Sequence, residues 1–201
     1  MLATILVRVP LALVPLLPLP DSPRDCQLEV LTPQALEERT LDEFHGRVSA
    51  YVMVHRYLAR SLAPVHMFGD EEATLVNEQL RTALVAAYPQ AGPGRVFTPA
   101  VGELLRTRID HALRYGVVHS PMTGYEPLWG EPPPMVNQAF PPVLESAYWP
   151  ALAQVLPVIP EELEYLFWGR DLVLVDVDAN LVIDVLRVAL PESVRPGVVF
   201  E

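Results

Sequence analysis

The groups with which this chain could do chemistry are five histidines, its acids and a clustered set of arginines. Asp176 and Asp184 sit in one β-rich stretch, and two carboxylates facing a cleft can trade protons as acid and base. His111 follows Asp110 on a helical stretch, and His119 precedes Ser120. An enzyme built from His111, His119, Asp176 and Asp184 would be a hydrolase. His119-Ser120 by itself is no triad, because catalytic groups meet in space and not in sequence. Arg95, Arg106, Arg108 and Arg114 gather around the same helix. Guanidinium forks bind carboxylate or phosphate through paired hydrogen bonds, so these four are the candidate anion-binding residues of that enzyme. Against this, Glu103 and Asp110 stand three or four residues from these arginines and can pair with them along the helix.

Other chemistries are excluded. The chain has 14 basic residues and every one is arginine. Without lysine there is no Schiff base, no pyridoxal-phosphate anchor and no P-loop lysine. The patterns G-x-S-x-G, H-E-x-x-H, G-x-G-x-x-G and C-x-x-C do not occur. Asp176-Val-Asp178-Ala-Asn180 resembles the start of a calcium loop, but Leu181 stands where glycine is needed and Arg187 where the bidentate glutamate is needed. These residues read instead as a hairpin turn. Asp42 and His45 share a helical face, yet the Glu-x-x-His pairs of a bundle metal site are missing. Cys26 is the single cysteine, so there is neither an internal disulfide nor a cysteine zinc framework. No metal and no cofactor is expected. A formal net charge of −11 argues against nucleic acid, whose binders carry a basic field.

The elements that must position these residues predict an α+β fold in a single domain over 21–191. A small three-helix bundle comes first, with helices at about 33–63, 70–88 and 99–115. Thr32 caps the first helix and Pro33 suits its first position. Leu41, Phe44, Val48, Tyr51, His55, Leu58 and Leu62 form one seam along it, a spacing that serves packing within the chain or against a second copy. His55, in that seam, reads as a hydrogen-bonded core histidine. Val76, Leu80, Ala83, Leu84 and Ala87 form the stripe of the second helix. The third has Thr98 as cap, Pro99 at its start and Gly116 after its last turn. Residues 117–150 hold eight prolines and no period. Their aromatics oppose a disordered reading, and they read as an ordered proline-rich wrap over the bundle, with a short helix around 150–156. An antiparallel three-stranded meander closes the domain: strands at about 163–168, 171–176 and 181–186, joined by a Gly169-Arg170 type II′ turn and an Asp178-Ala179-Asn180 turn. Residues 192–201 are a tail.

Residues 1–20 are apolar except for Arg8 and are interrupted by prolines. They are too broken for a spanning helix and have the apolar core of an export signal without its small-residue cut site. The segment therefore reads as signal-like or as a packed arm. The first implies a periplasmic or peripheral envelope location, the second a cytoplasmic one.

The runs Glu161-Glu-Leu-Glu-Tyr165, Gly169-Arg-Asp-Leu-Val-Leu174, Asp176 and Ala179-Asn-Leu-Val-Ile-Asp184, with Val96-Phe-Thr-Pro99 and Val136-Asn137, resemble a family of exported bacterial proteins of uncharacterised activity. The resemblance spans about Tyr51 to Pro191 and implies an exported, helical-plus-hairpin protein. It brings no catalytic residues with it.

The functional expectation is a non-catalytic interaction or accessory-subunit protein of the cell envelope. Its partner is another protein, which the apolar arm would suit if it were a membrane-embedded complex; self-association is allowed. Trp129, Phe140, Tyr148 and Trp149 of the wrap are the candidate partner-binding residues, because aromatics anchor interfaces and prolines lower the ordering cost of such a surface. The hydrolase described above is the alternative.

Overall fold

The structure, a computed structural model, describes residues 32–62, 70–115, 132–141 and 150–192. Over these residues the order is α1 (Pro33–Leu62), α2 (Asp70–Ala87), α3 (Pro99–Arg114), the single turn α4 (Pro150–Ala153), then β1 (Leu163–Trp168), β2 (Asp171–Asp176) and β3 (Leu181–Leu186). The fold is α+β, and the sheet is an antiparallel meander in the order β1-β2-β3.

Local chemistry sets the helix starts. The Thr32 hydroxyl accepts from the Ala35 amide at 3.2 Å, and the Thr98 hydroxyl accepts from the Val101 amide at 3.4 Å. Each threonine satisfies one of the donors that a helix start leaves without a partner. Pro99 occupies the first turn of α3, where its missing N–H costs nothing. Gly116 lies outside the described residues.

The seam of α1 turns inward. Phe44, Val48, Tyr51, Val52 and His55 are buried, and Leu41, Leu58 and Leu62 are partly so. They pack within the chain, in one core with Leu80 and Leu84 of α2, Val101, Leu105 and Ile109 of α3, and one face of the sheet. Ala87, expected in the α2 stripe, is exposed. It stands in the last turn of the helix, where the inward role passes to the neighbouring Tyr88, half-buried against the core.

The strands alternate. Leu163, Tyr165, Phe167, Leu172 and Leu174 face the helices. Leu166, Trp168, Val173, Val175, Val182 and Val185 face the other way. All are buried, so the sheet is covered on both sides. Gly169 has φ 56°, and Arg170 is not in the left-handed region; one positive φ at the first turn position is what a type II′ turn needs.

The outer face of the sheet corrects one expectation. Residues 132–141, the described part of the proline-rich segment, lie against the outer face of the sheet, with the Asn137 side-chain amide also donating to the Tyr88 carbonyl at 2.8 Å beside the end of α2. Ala139 bridges Leu181, and the Asn137 amide and Val182 carbonyl meet at 2.9 Å. Phe140 and Val136 complete the outer apolar layer. The remainder of the expected wrap, the apolar segment 1–20, Cys26 and the tail from 193 lie outside the described residues. Among the described residues, no helix is long and apolar enough to cross a membrane.

Two details position side chains. A register shift between Leu174 and Val175 makes Leu174 pair with Asp184 and Val175 with Val182. Ile183 is therefore an extra residue, and this β-bulge re-aims Asp184 toward the helices. Gly102 in α3 lets the helix approach β3 closely: a Cβ there would stand 2.8 Å from Cδ1 of Leu186.

Candidate functional site

Tyr51 and His55 are four residues apart on α1 and therefore share a face. Both point at the end of β2, where Asp176 is completely buried. One Asp176 oxygen, Oδ2, accepts from the Tyr51 hydroxyl at 2.8 Å and from His55 Nδ1 at 2.5 Å. The other, Oδ1, accepts from the Ala179 amide at 2.9 Å. The other ring nitrogen, His55 Nε2, stands 3.4 Å from Oδ2 of the exposed Asp178. His55 therefore lies between two carboxyl groups. Its pKa is raised, first by the bond to Asp176, with Asp178 and Glu162 adding to it and burial opposing. Burial and the neighbouring Asp176 push the Tyr51 hydroxyl far up, so it stays protonated and donates.

Beyond His55 a surface recess is lined by Arg56, Ala59, Arg60, Glu161, Glu162 and Asp178. Arg56 Nε meets Glu162 Oε1 at 2.5 Å, and this bond holds the Glu162 carboxyl below its ordinary range. In this recess Arg56 pairs with Glu162, and Asp178 faces His55. Among the described residues, no hydroxyl or thiol lines it to serve as a nucleophile for the histidine. What the arrangement does chemically is tie α1 to the β2–β3 turn.

Asp184 is also completely buried, and it does a similar job for a loop. Its oxygens accept from four backbone amides: Gly94 at 2.8 Å, Val96 at 2.6 Å, Phe97 at 2.8 Å and its own neighbour Val185 at 2.8 Å. The loop held this way presents Arg95, whose guanidinium lies 3.4 Å from the Tyr88 ring centroid and 5.8 Å from that of Tyr51. Tyr51 and Tyr88 stack at 5.9 Å. The two acids thus fix α1 and the α2–α3 connection on the same sheet face.

Of the residues expected to form a hydrolase site, the described ones do not come together. His111 is exposed near the end of α3 with its ring 4.4 Å from Tyr115, while Asp176 and Asp184 are sealed in the core and occupied as above. His119 lies outside the described residues. The four arginines do not converge either. Arg95 stacks on Tyr88, and Arg106 donates to the carbonyls of Val188 and Arg187. Arg108 pairs with Glu37 at 2.6 Å and Arg114 with Asp110 at 2.8 Å. Arg106 and Arg108, two apart, point about 200° away from each other around a helix.

Of the expected partner-binding aromatics, Phe140 is buried edge-on against Trp168, with ring centroids 6.2 Å apart, and so is not a free anchor. Trp129, Tyr148 and Trp149 lie outside the described residues. Asp176, Asp178 and Asn180 form a turn, as the sequence implied: Asp176 points inward, Asp178 outward, and the Asn180 side-chain Nδ2 donates to the Phe140 carbonyl at 3.1 Å. Among the described residues no group of three or more His, Cys, Asp or Glu is placed to hold a metal ion.

The pairing of His55 with Asp176 was not foreseen. The signal for it was a histidine and a tyrosine four apart in an otherwise apolar seam, which requires a buried acceptor opposite. No protein family, curated protein or solved structure matches this chain.

Proposed function

We propose that this is a non-catalytic interaction or accessory protein that binds another protein through the outward face of α1. The carrying observation is the pair Met53 and Tyr57. They lie one turn apart on the side of α1 opposite its seam and are 68% and 69% exposed. Both line a shallow recess with Val52 and Pro160, rimmed by Arg56 and Arg60. An aromatic and a flexible thioether beside arginine is the composition of interface anchors. The histidine–aspartate centre supports the same reading, because its groups are consumed in holding the fold. An envelope location rests on the apolar run of residues 1–20 and on the resemblance to exported bacterial proteins.

The test is a photo-crosslinking residue placed at Met53 in the full chain, with exposed Thr107 on α3 as control. A single stoichiometric protein adduct from Met53 and none from Thr107 is expected. Uncrosslinked chain at both positions would refute the assignment.

A further inference from the structure

On that reading of α1, which this inference rests on, we infer that the protein bound by the outward face is a second copy of the chain, its α1 running antiparallel. Charge and helical period favour this partner. Before Gly46, α1 carries Glu37, Glu38, Asp42 and Glu43 against Arg39 alone. From Arg47 onward it carries Arg47, Arg56 and Arg60 and no acid. A parallel neighbour would set like against like; an antiparallel copy sets each acidic half on a basic half.

Several of these charges are already used: Glu37 by Arg108, Glu43 by Arg47, Arg56 by Glu162. Asp42 and Arg60 are exposed, and neither has an ionic partner among the described residues. They are 18 positions apart, about five turns at about 3.6 residues per turn. They therefore stand in one column, about 27 Å apart at about 1.5 Å per residue, with Met53 beside the same column. In an antiparallel pair centred between Ser49 and Met53, Asp42 of each copy meets Arg60 of the other. Met53 then covers Ser49 of the second copy. Tyr57 comes level with His45 of that copy, beside Gly46, where a Cβ would find nothing within 4 Å and a ring has room. A two-fold interface of this kind is self-complementary by construction.

The experiment uses two charge reversals in the full chain, Asp42→Arg and Arg60→Asp, followed by sedimentation over a concentration series. The wild type should dimerise. Each variant alone places like charges together twice and should weaken the dimer about tenfold or more, from pairs of ordinary interfacial strength. An equimolar mixture of the two variants should regain wild-type affinity as a heterodimer. One copy then carries arginine at both positions and the other carries aspartate at both, so each of the two contacts again joins opposite charges. A wild type that stays monomeric overturns the inference, as does a dimer indifferent to both reversals or a mixture that fails to recover. Capture of a different protein at Met53 by a monomeric wild type would overturn only the second copy and leave the binding face standing.

Discussion

His55 and Asp176 are 121 residues apart in sequence, and Nδ1 of one lies 2.5 Å from Oδ2 of the other in the core. The pair joins the C-terminal third of α1 to the far end of the central strand. Its energetics follow from where protons sit. The folded pKa of His55 is raised above the ordinary 6.5, so the stability it contributes is complete below about 6.5 and is lost as pH rises through the folded value. Glu162 is lowered from 4.5, so its contribution is present above about 4.5 and is lost as pH falls through its folded value. Together they predict greatest stability between these two limits.

Replacing His55 with Leu leaves Asp176 buried with only Tyr51 and the Ala179 amide. The expected loss is about 3 kcal/mol, as for other broken buried pairs. Urea denaturation across pH 5 to 9 is the measurement. The wild type should weaken over the upper half of that range and the variant should not. A variant with the wild-type slope would show that another group titrates.

Asp184 yields a prediction that separates anchoring from acid–base chemistry. Its two oxygens take two amides each: Gly94 and Val185 on Oδ1, Val96 and Phe97 on Oδ2. In Asp184→Asn one oxygen becomes an NH₂ group that cannot accept, so two buried amides lose their partner whichever way the side chain is turned. Each unsatisfied group costs about 1–3 kcal/mol, and the isosteric change should destabilise by about 2 kcal/mol or more. Hydrogen exchange should accelerate at one of the two pairs, Gly94 and Val185 or Val96 and Phe97, ahead of exchange in β2. Unchanged exchange at those amides would mean that the bulge at Ile183 is not what holds the loop.

The elements were legible because their signals are local: a threonine cap followed by proline, a seam at helical spacing, a glycine-first turn between alternating strands. The site was not, because its partners are distant in sequence. Nothing near His55 announces Asp176, and nothing near Gly94 announces Asp184, which reaches the loop only through a bulge that no local residue type encodes. Phe140 misled for a related reason. It sits among prolines with no period, so its pairing with the edge of β3 through Ala139 and Leu181 leaves no trace in the pattern. The arginines of α3 misled by proximity, since neighbours in sequence on a helix serve different sides of it.

Val188 holds the left-handed region, with φ 53°. A β-branched residue pays more than any other type for the left-handed region, about 1–2 kcal/mol. The conformation persists because both ends of the residue are held. Its amide donates to Asp171 Oδ1 at 2.8 Å, and its carbonyl accepts from Arg106 Nε at 3.2 Å. Arg187 adds a bond to the other Asp171 oxygen at 2.6 Å. The Val188 side chain is 54% exposed, so removing it gives up little burial. Val188→Asn, a residue that tolerates this region, should therefore raise stability by about 1 kcal/mol, even though a hydrophobic residue is being replaced by a polar one. Arg106→Ala should lower it by releasing the restraint, and the two changes should not add, because the asparagine no longer needs holding. Thermal unfolding of the two single variants and the double variant measures all three. A Val188→Asn protein less stable than the wild type would show that the valine side chain, and not the backbone around it, is what the fold uses at this corner.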